Sequence, residues 1–461
     1  MITLISTALL GIVAMVSEIL GFRKWVWPIL MIGIAATIGI TITSWGDTRE
    51  FYGMVMMDNT AIAFSVLLLS QVLIWFVLSR EDYNGLSTKN DSDQYALILF
   101  ASVGGLILVS YTHMSMLFLG IEILSIPAYI LAGSNKKDLK SNESAIKYFL
   151  MGAFASAILL FGIALLYGAT GSFDIARIAD KVAADAYNPM MVTGLLMIIA
   201  GLSFKVSVVP FHFWAADVYE GAPTYITAFM ATFIKTAAFV AFYRLFSVSF
   251  NSVAVIWGPV ILLLGGVTIL LGNLIGLVQP SLKRTIAYSG IAQAGYLLLS
   301  LLLVNGDGGV VLLVYLSGYS LATMTALSII HKIEITKGNS LFESFKGLGM
   351  QQPWHAIILS VCMISLAGIP LTAGFFGKFY LFYSLLKTDP TFIWIILLAI
   401  LGSIISIYYY FKVIIAMFGE GFEIKGQSPF SVASLWMHFI AVGGILILGI
   451  LPNLIIDGIS W

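Results

Sequence analysis

Apolar residues run along this chain in blocks of roughly twenty, separated by short polar stretches, and the pattern continues almost to the last residue. A bilayer core about 30 Å thick is crossed by roughly 20 mostly apolar helical residues, so the blocks predict about fourteen membrane helices. They fall near 2–20, 25–44, 58–79, 94–111, 113–133, 142–169, 188–213, 222–247, 252–278, 281–304, 307–331, 353–386, 390–418 and 430–456. The longest connections, near 80–93, 170–187 and 332–352, are too short to build a soluble core. The first block has no basic leader and is followed by Gly21-Phe22-Arg23-Lys24 in place of a small-residue cleavage site, so it is expected to be retained as an anchor. The expected class is therefore an all-α polytopic membrane protein.

Polar positions between the blocks set an orientation. The connections after odd-numbered helices hold Arg23, Lys24, Arg80, Lys89, Lys136, Lys137, Lys140, Lys283, Arg284, Lys332, Lys337, Lys346 and Lys425, whereas the other side holds Arg49, Arg177, Lys181, Arg244 and Lys387. Positive charge concentrates on the cytoplasmic side, which places both termini on the outer face. Two long blocks carry a central proline, Pro210 and Pro370, and lie five helices apart. Five is odd, so they cross in opposite directions, as in two five-helix repeats of inverted topology with broken helices 7 and 12. The chain divides accordingly into three N-terminal helices (1–93), a first repeat of helices 4–8 (94–251), a second of helices 9–13 (252–429) and helix 14 (430–461).

Composition agrees: 60% of residues are hydrophobic and 10% charged, against about 25% charged in soluble domains. Lysine plus arginine equals aspartate plus glutamate at 23 each, which excludes a basic field for nucleic acid. Cys362 is the one cysteine, so a disulfide framework, a thiolate zinc site and an iron–sulfur cluster within this chain are excluded and redox chemistry must belong to another protein.

Five basic residues remain inside helices: Lys147, Lys205, Lys235, Lys378 and Lys412. A lysine at the centre of a membrane helix costs about 2.5–3.5 kcal/mol even on the lenient insertion scale, so these should face the bundle interior. Burial disfavours the ammonium form, which makes lysine a group able to load and release protons. Arginine cannot do this, and none is expected deep in a helix. Glu122 is the carboxylate at mid-depth, in "LFLGIEILSIPAYI", and an ion pair that opens and closes with a lysine would gate protonation. Pro127, Pro210 and Pro370 are expected helix breaks: each removes a backbone donor, and together they free the carbonyls of Ile123, Val206 and Leu366, which could hold water beside titrating groups. Each residue also has a structural reading. Glu122, Lys205 and Lys235 could form static pairs, Lys147 could snorkel to the cytoplasmic headgroups, Lys412 could anchor at the interface, and His212, a possible relay, could be a satisfied core histidine. No metal site is expected.

The stretches "GLSFKVSVVPFHFWAADVYEGAPTYITAFMATFIKTAAF", "KRTIAYSGIAQAGYLLL", "ESAIKYFLMGAFASAILLFG" and "GIPLTAGFFGKFYLF" resemble the antiporter-like subunits of respiratory complex I, the proton-translocating NADH:quinone oxidoreductase. The resemblance spans nearly the whole chain. Lys378 on the twelfth helix, and a chain that stops at Trp461 soon after the fourteenth, separate it from the larger relatives M and L. The resemblance implies a non-redox subunit that moves protons from the cytoplasm outward: Glu122 modulates Lys205, Lys235 is the central lysine, Lys378 feeds the outer exit and Lys147 lies on the input side. It implies subunit M and the small membrane subunits as neighbours, and flavin, iron–sulfur clusters and quinone in partner subunits with no cofactor in this chain. A free-standing multi-subunit cation/proton antiporter and a solute transporter are the alternatives. Sodium-dependent activity would favour the first, saturable substrate uptake the second.

Overall fold

The computed structural model describes residues 1–85, 91–304, 306–420 and 432–456. Lys89, Lys425, Trp461 and the boundary at 429/430 lie outside the described residues. Among the described residues, eleven helices are long and apolar enough to cross a membrane, and three shorter apolar helices join them. Together they make the fourteen expected crossings.

The first three crossings are Ile2–Ile19, Arg23–Ile42 and Asn59–Gly85. Then come Asp91–Ser110, Met114–Ala132 and Leu139–Thr170 as the fourth to sixth. The seventh is split into Pro189–Lys205 and Phe213–Gly221. The eighth to tenth are Thr224–Val248, Asn251–Leu277 and Leu282–Leu303. Gly308–Lys337 is the eleventh, and the twelfth is split into Pro353–Ala367 and Ala373–Thr388. Pro390–Phe418 and Val432–Ile450 complete the set.

Local chemistry sets several boundaries. Asp138 caps the sixth crossing through Lys140 N, and Gly171, in the left-handed region, ends it. Asn188 accepts from Met190 N and Met191 N, and Pro189 at the first helical position starts the seventh. The two splits are where backbone leaves helical geometry. Ser207 (φ 59°) and a cis Val209–Pro210 bond fall in the first, Gly368 (φ 83°) and Leu371 (φ 73°) in the second.

The inverted repeats are visible in the packing. The fourth crossing packs against the fifth and eighth, and the ninth packs in the same way against the tenth and thirteenth. The sixth lies on both halves of the seventh, and the eleventh on both halves of the twelfth. The eighth, tenth and eleventh crossings are sheathed by neighbours, with 94%, 89% and 89% of their apolar windows buried. The first, second and thirteenth have 28% buried and expose Ile5, Leu9, Ile32, Leu397 and Ile404, the surface that lipid covers.

Several expectations are corrected. Pro127 does not break its helix, because Met114–Ala132 runs through it. The seventh block does not stop near 213, since Phe213–Gly221 continues it as a half-helix whose Asp217 and Glu220 disguise it as a loop. The 170–187 connection contains the helix Ile175–Ala184, which buries Ile175, Ile178 and Val182 on one face. A two-stranded hairpin, Arg49–Phe51 with Val55–Met57, links the second and third crossings. Lys283 and Lys332, counted above among loop charges, are buried within the tenth and eleventh crossings. Arg244 is likewise buried, near the end of the eighth, with Asp58 2.9 Å from its guanidinium.

Candidate proton-carrying site

Lys205 ends the first half of the broken seventh crossing, where its side chain reaches the fifth. Its Nζ donates to Ser125 Oγ at 3.0 Å and to Tyr129 Oη at 3.1 Å. Glu122, Ser125 and Tyr129 recur every three to four residues and so share one face of the fifth crossing. The expected Glu122–Lys205 ion pair is not formed: no ion pair within 4 Å involves either residue among the described residues, and the Oε1 of the half-buried Glu122 has no hydrogen-bond partner there. Ser125 and Tyr129, one and two turns further along, take the ammonium instead. An aromatic stack closes the pocket: Tyr129 meets Tyr148 edge-on at 4.7 Å, and Tyr148 stacks on Trp214 at 4.5 Å. Trp214 Nε1 donates to Phe204 O, which ties the two half-helices across the break.

Lys235 follows a π-helical turn, Met230–Ile234, in the middle of the eighth crossing. Such a turn shifts the side chains after it relative to a regular helix and is common at functional positions. Its Nζ donates to Gly290 O at 2.6 Å and lies 5.8 Å from the Tyr319 ring centroid. Lys378, in the second half of the twelfth crossing, donates to Ala367 O at 3.1 Å, Leu366 O at 3.3 Å and Ser403 Oγ at 3.3 Å. Leu366 O is the carbonyl that Pro370 was expected to free. It is occupied by protein donors, since Gln293 Nε2 also reaches it at 2.9 Å. Val206 O, freed by Pro210, accepts from Ser207 Oγ at 2.7 Å.

All three lysines are 6% exposed or less, and neutral oxygens hold each of them. Lys235 and Lys378 are joined through the tenth crossing, which sequence reasoning used for family resemblance but not for chemistry. Gly290 O receives Lys235, Gln293 accepts from Tyr315 Oη at 2.5 Å and shares Leu366 O with Lys378, and Tyr296 Oη lies 2.9 Å from Ser403 Oγ. The Tyr296 ring lies 4.8 Å from Lys378 Nζ. Gly290, Gln293 and Tyr296 in "KRTIAYSGIAQAGYLLL" are spaced at i, i+3 and i+6, a polar stripe at helical period that could have signalled this.

Lys147 stands apart in a cleft of about 130 Å³. Its Nζ meets Glu143 at 2.6 Å and Asp217 at 3.1 Å, and Asp217 also takes Arg284 at 3.0 Å while Glu220 takes it at 2.6 Å. The side chain of Lys147 is 41% exposed, so it faces this polar cleft at the end of the seventh crossing. His212 is buried at the start of Phe213–Gly221, and its Nδ1 has no partner among the described residues. Lys412 lies against the Phe342 ring at 4.2 Å, away from the other lysines' partners. Groups of three or more His, Cys, Asp or Glu side chains able to hold a metal ion are absent among the described residues.

Four similarities bear on this arrangement. The family described as NADH:quinone oxidoreductase/Mrp antiporter, transmembrane, matches residues 112–406. The chain is 46% identical to NADH-quinone oxidoreductase subunit N of Cytophaga hutchinsonii over 98% of both chains. Among solved structures, a chain of respiratory complex I from Thermus thermophilus superposes with a TM-score of 0.84 at 32% identity, covering 99% of this chain and 98% of that one. A chain of the Mrp complex from Dietzia superposes at 0.87 with 19% identity, covering 99% and 95%, which speaks for the fold alone. With its broken helices, buried lysines and end-to-end similarity, the chain belongs to the NADH-quinone oxidoreductase subunit N family of antiporter-like membrane proteins.

Proposed function

We propose that this chain is a proton-translocating, non-redox subunit of the membrane arm of an NADH:quinone oxidoreductase. It works in a bacterial inner membrane with both termini outside, beside subunit M and the small membrane subunits, and moves protons from the cytoplasm outward. Flavin, iron–sulfur clusters and quinone belong to partner subunits, and quinone reduction there drives the movement. Within the chain, residues 94–251 and 252–429 act as the two inverted halves, between the leading helices 1–93 and the last helix 430–461.

The observation that carries the reading is the row of buried lysines held by hydroxyls and carbonyls. A permanent ion pair would keep an ammonium charged, whereas neutral oxygens solvate it and still permit its proton to leave. Protons enter at the Lys147–Asp217 cleft, pass the Tyr148–Tyr129 stack to Lys205, and continue through Lys235 and the Gln293–Leu366 contacts to Lys378 and the outer side. Glu122 acts on Lys205 through space from the same helix face, with no direct bond. The test is Lys205→Ala in the purified, reconstituted complex. Proton pumping should fall roughly tenfold or more with the complex assembled, and wild-type pumping by an assembled variant would defeat the role.

A further inference from the structure

A second group of titratable side chains lies outside this route. His438, on the fourteenth crossing, is fully buried; its Nε2 lies 3.1 Å from Ser328 Oγ on the eleventh, and its ring meets that of His355 on the twelfth at 5.8 Å. The Nδ1 of His438 has no hydrogen-bond partner among the described residues. Ser328 in turn lines a small cavity of about 20 Å³ shared with Ser79 and Trp75 of the third crossing, Tyr225 of the eighth and His331. Ser79 Oγ is buried without a partner among the described residues. About 10–15 Å³ suffices for one water, and a buried hydroxyl left unpaired costs about 1–3 kcal/mol. Ser79, Ser328 and His331 give a water there the two to four polar contacts it needs.

The third crossing leads from the cavity toward the neighbourhood of Lys235. Gln71 lies two turns from Ser79 on the same face, roughly 12 Å away. Its Nε2 donates to Thr236 Oγ1 at 3.0 Å, next in sequence to Lys235, and to Ser320 Oγ at 2.8 Å, while its buried Oε1 has no partner among the described residues. Trp75 lies between, with its indole N–H held by Tyr225 O at 2.7 Å, and the His331 ring is 5.4 Å from that of Tyr225. By helix direction, Ser79, Tyr225, Ser328, His355 and His438 all sit toward the same ends of their crossings as Lys147 and Asp217, so this cluster is on the uptake side.

We propose that His355, His438, Ser328 and the Ser79 cavity form a second proton inlet, which reaches Lys235 past Trp75 and Gln71 without passing Lys205. Each transfer breaks one N–H or O–H bond and makes another, so a proton advances with no net chemistry. Lys332, His331 and Tyr225 are the other titratable groups facing the lane, and no carboxylate among the described residues pairs with His438. The lane rests on the proton-carrier reading above.

The test uses the complete complex in proteoliposomes with His438→Gln, Ser328→Ala and, as reference, Lys235→Ala. Glutamine keeps a hydrogen bond to Ser328 but cannot pass a proton through a ring. The expected result is assembly and thermal unfolding as in wild type, with pumping lowered roughly tenfold in His438→Gln and less in Ser328→Ala. Wild-type pumping in both, with a deficit in Lys235→Ala, overturns the inlet alone. Wild-type pumping in all three overturns the proton-carrier reading with it. Should His438→Gln fail to assemble, Ser328→Ala, which removes a single hydroxyl, decides between the same outcomes.

Discussion

At the scale of single residues, the lysines inside the crossings differ in the partner each one meets. Lys205, Lys235 and Lys378 end on hydroxyls and carbonyls, Lys147 on two carboxylates, and Lys412 on an aromatic ring. Gln293 is the most informative neutral side chain, because it bridges Tyr315 and the Leu366 carbonyl that also receives Lys378. Gln293→Leu removes both bonds while keeping most of the volume. It should lower pumping roughly tenfold in an assembled complex, with Tyr315 and Leu366 O left short of partners; unchanged pumping in vesicles would show that Lys378 is reached by another path. The lysines themselves were legible in the sequence, since a charge inside an apolar block stands out against its neighbours. Their oxygen partners were not, because Ser125, Tyr129 and Gly290 are ordinary residues until a second helix brings a lysine to them.

Among the helices, the two breaks differ from the one that failed to appear. Pro210 and Pro370 sit where the backbone turns through residues of positive φ, whereas Pro127 is accommodated in a continuous helix. A proline removes one donor in any helix, but a break also needs neighbouring elements that take over the freed groups, as Gln293 and Lys378 do at Leu366. The second break further depends on close approach: a Cβ on Gly374 would lie 1.8 Å from Ser365 O. Gly374→Ala must therefore separate the two halves of the twelfth crossing, with a loss of about 3 kcal/mol, seen as a lowered thermal midpoint and reduced yield of the complex. Another element-scale tie lies at the opposite end. Asp58 caps the third crossing through Ala61 N at 2.7 Å and pairs with the buried Arg244 of the eighth. Asp58→Ala leaves that guanidinium uncompensated and should cost about 3 kcal/mol, measured by thermal unfolding of the purified complex. Retained wild-type stability would mean that the carbonyls of Tyr111 and Val109, which also receive Arg244, suffice.

Across the whole molecule, the two repeats put the seventh and twelfth crossings at related places with opposite direction, and the tenth and eleventh between them. This is why a charged cleft at the Lys147 end and Lys378 in the second half-helix of the twelfth can be joined through the protein interior. The third crossing, outside both repeats, adds Gln71 between the eighth and eleventh. Orientation is a property of the whole chain. A cysteine placed ahead of Ile2 should react with a membrane-impermeant reagent from the periplasmic face of intact cells and be silent in sealed inverted vesicles, and the reverse pattern would turn the proposed direction of proton flow around.

Sequence by itself determined the solvent, the number of crossings, their alternating direction and the lysines that cannot rest in lipid, because each follows from apolar length and local charge. Even the half-helix Phe213–Gly221 was hidden only by two acidic residues at its polar end. Tertiary structure decided which oxygen each lysine meets, that Glu122 forms no pair with Lys205, that Lys283 and Lys332 are interior, and that His355 and His438 lie together. Those outcomes depend on contacts between residues tens to hundreds of positions apart, such as Lys205 with Tyr129 or Gln71 with Ser320, and such distances are set only when helices dock against one another.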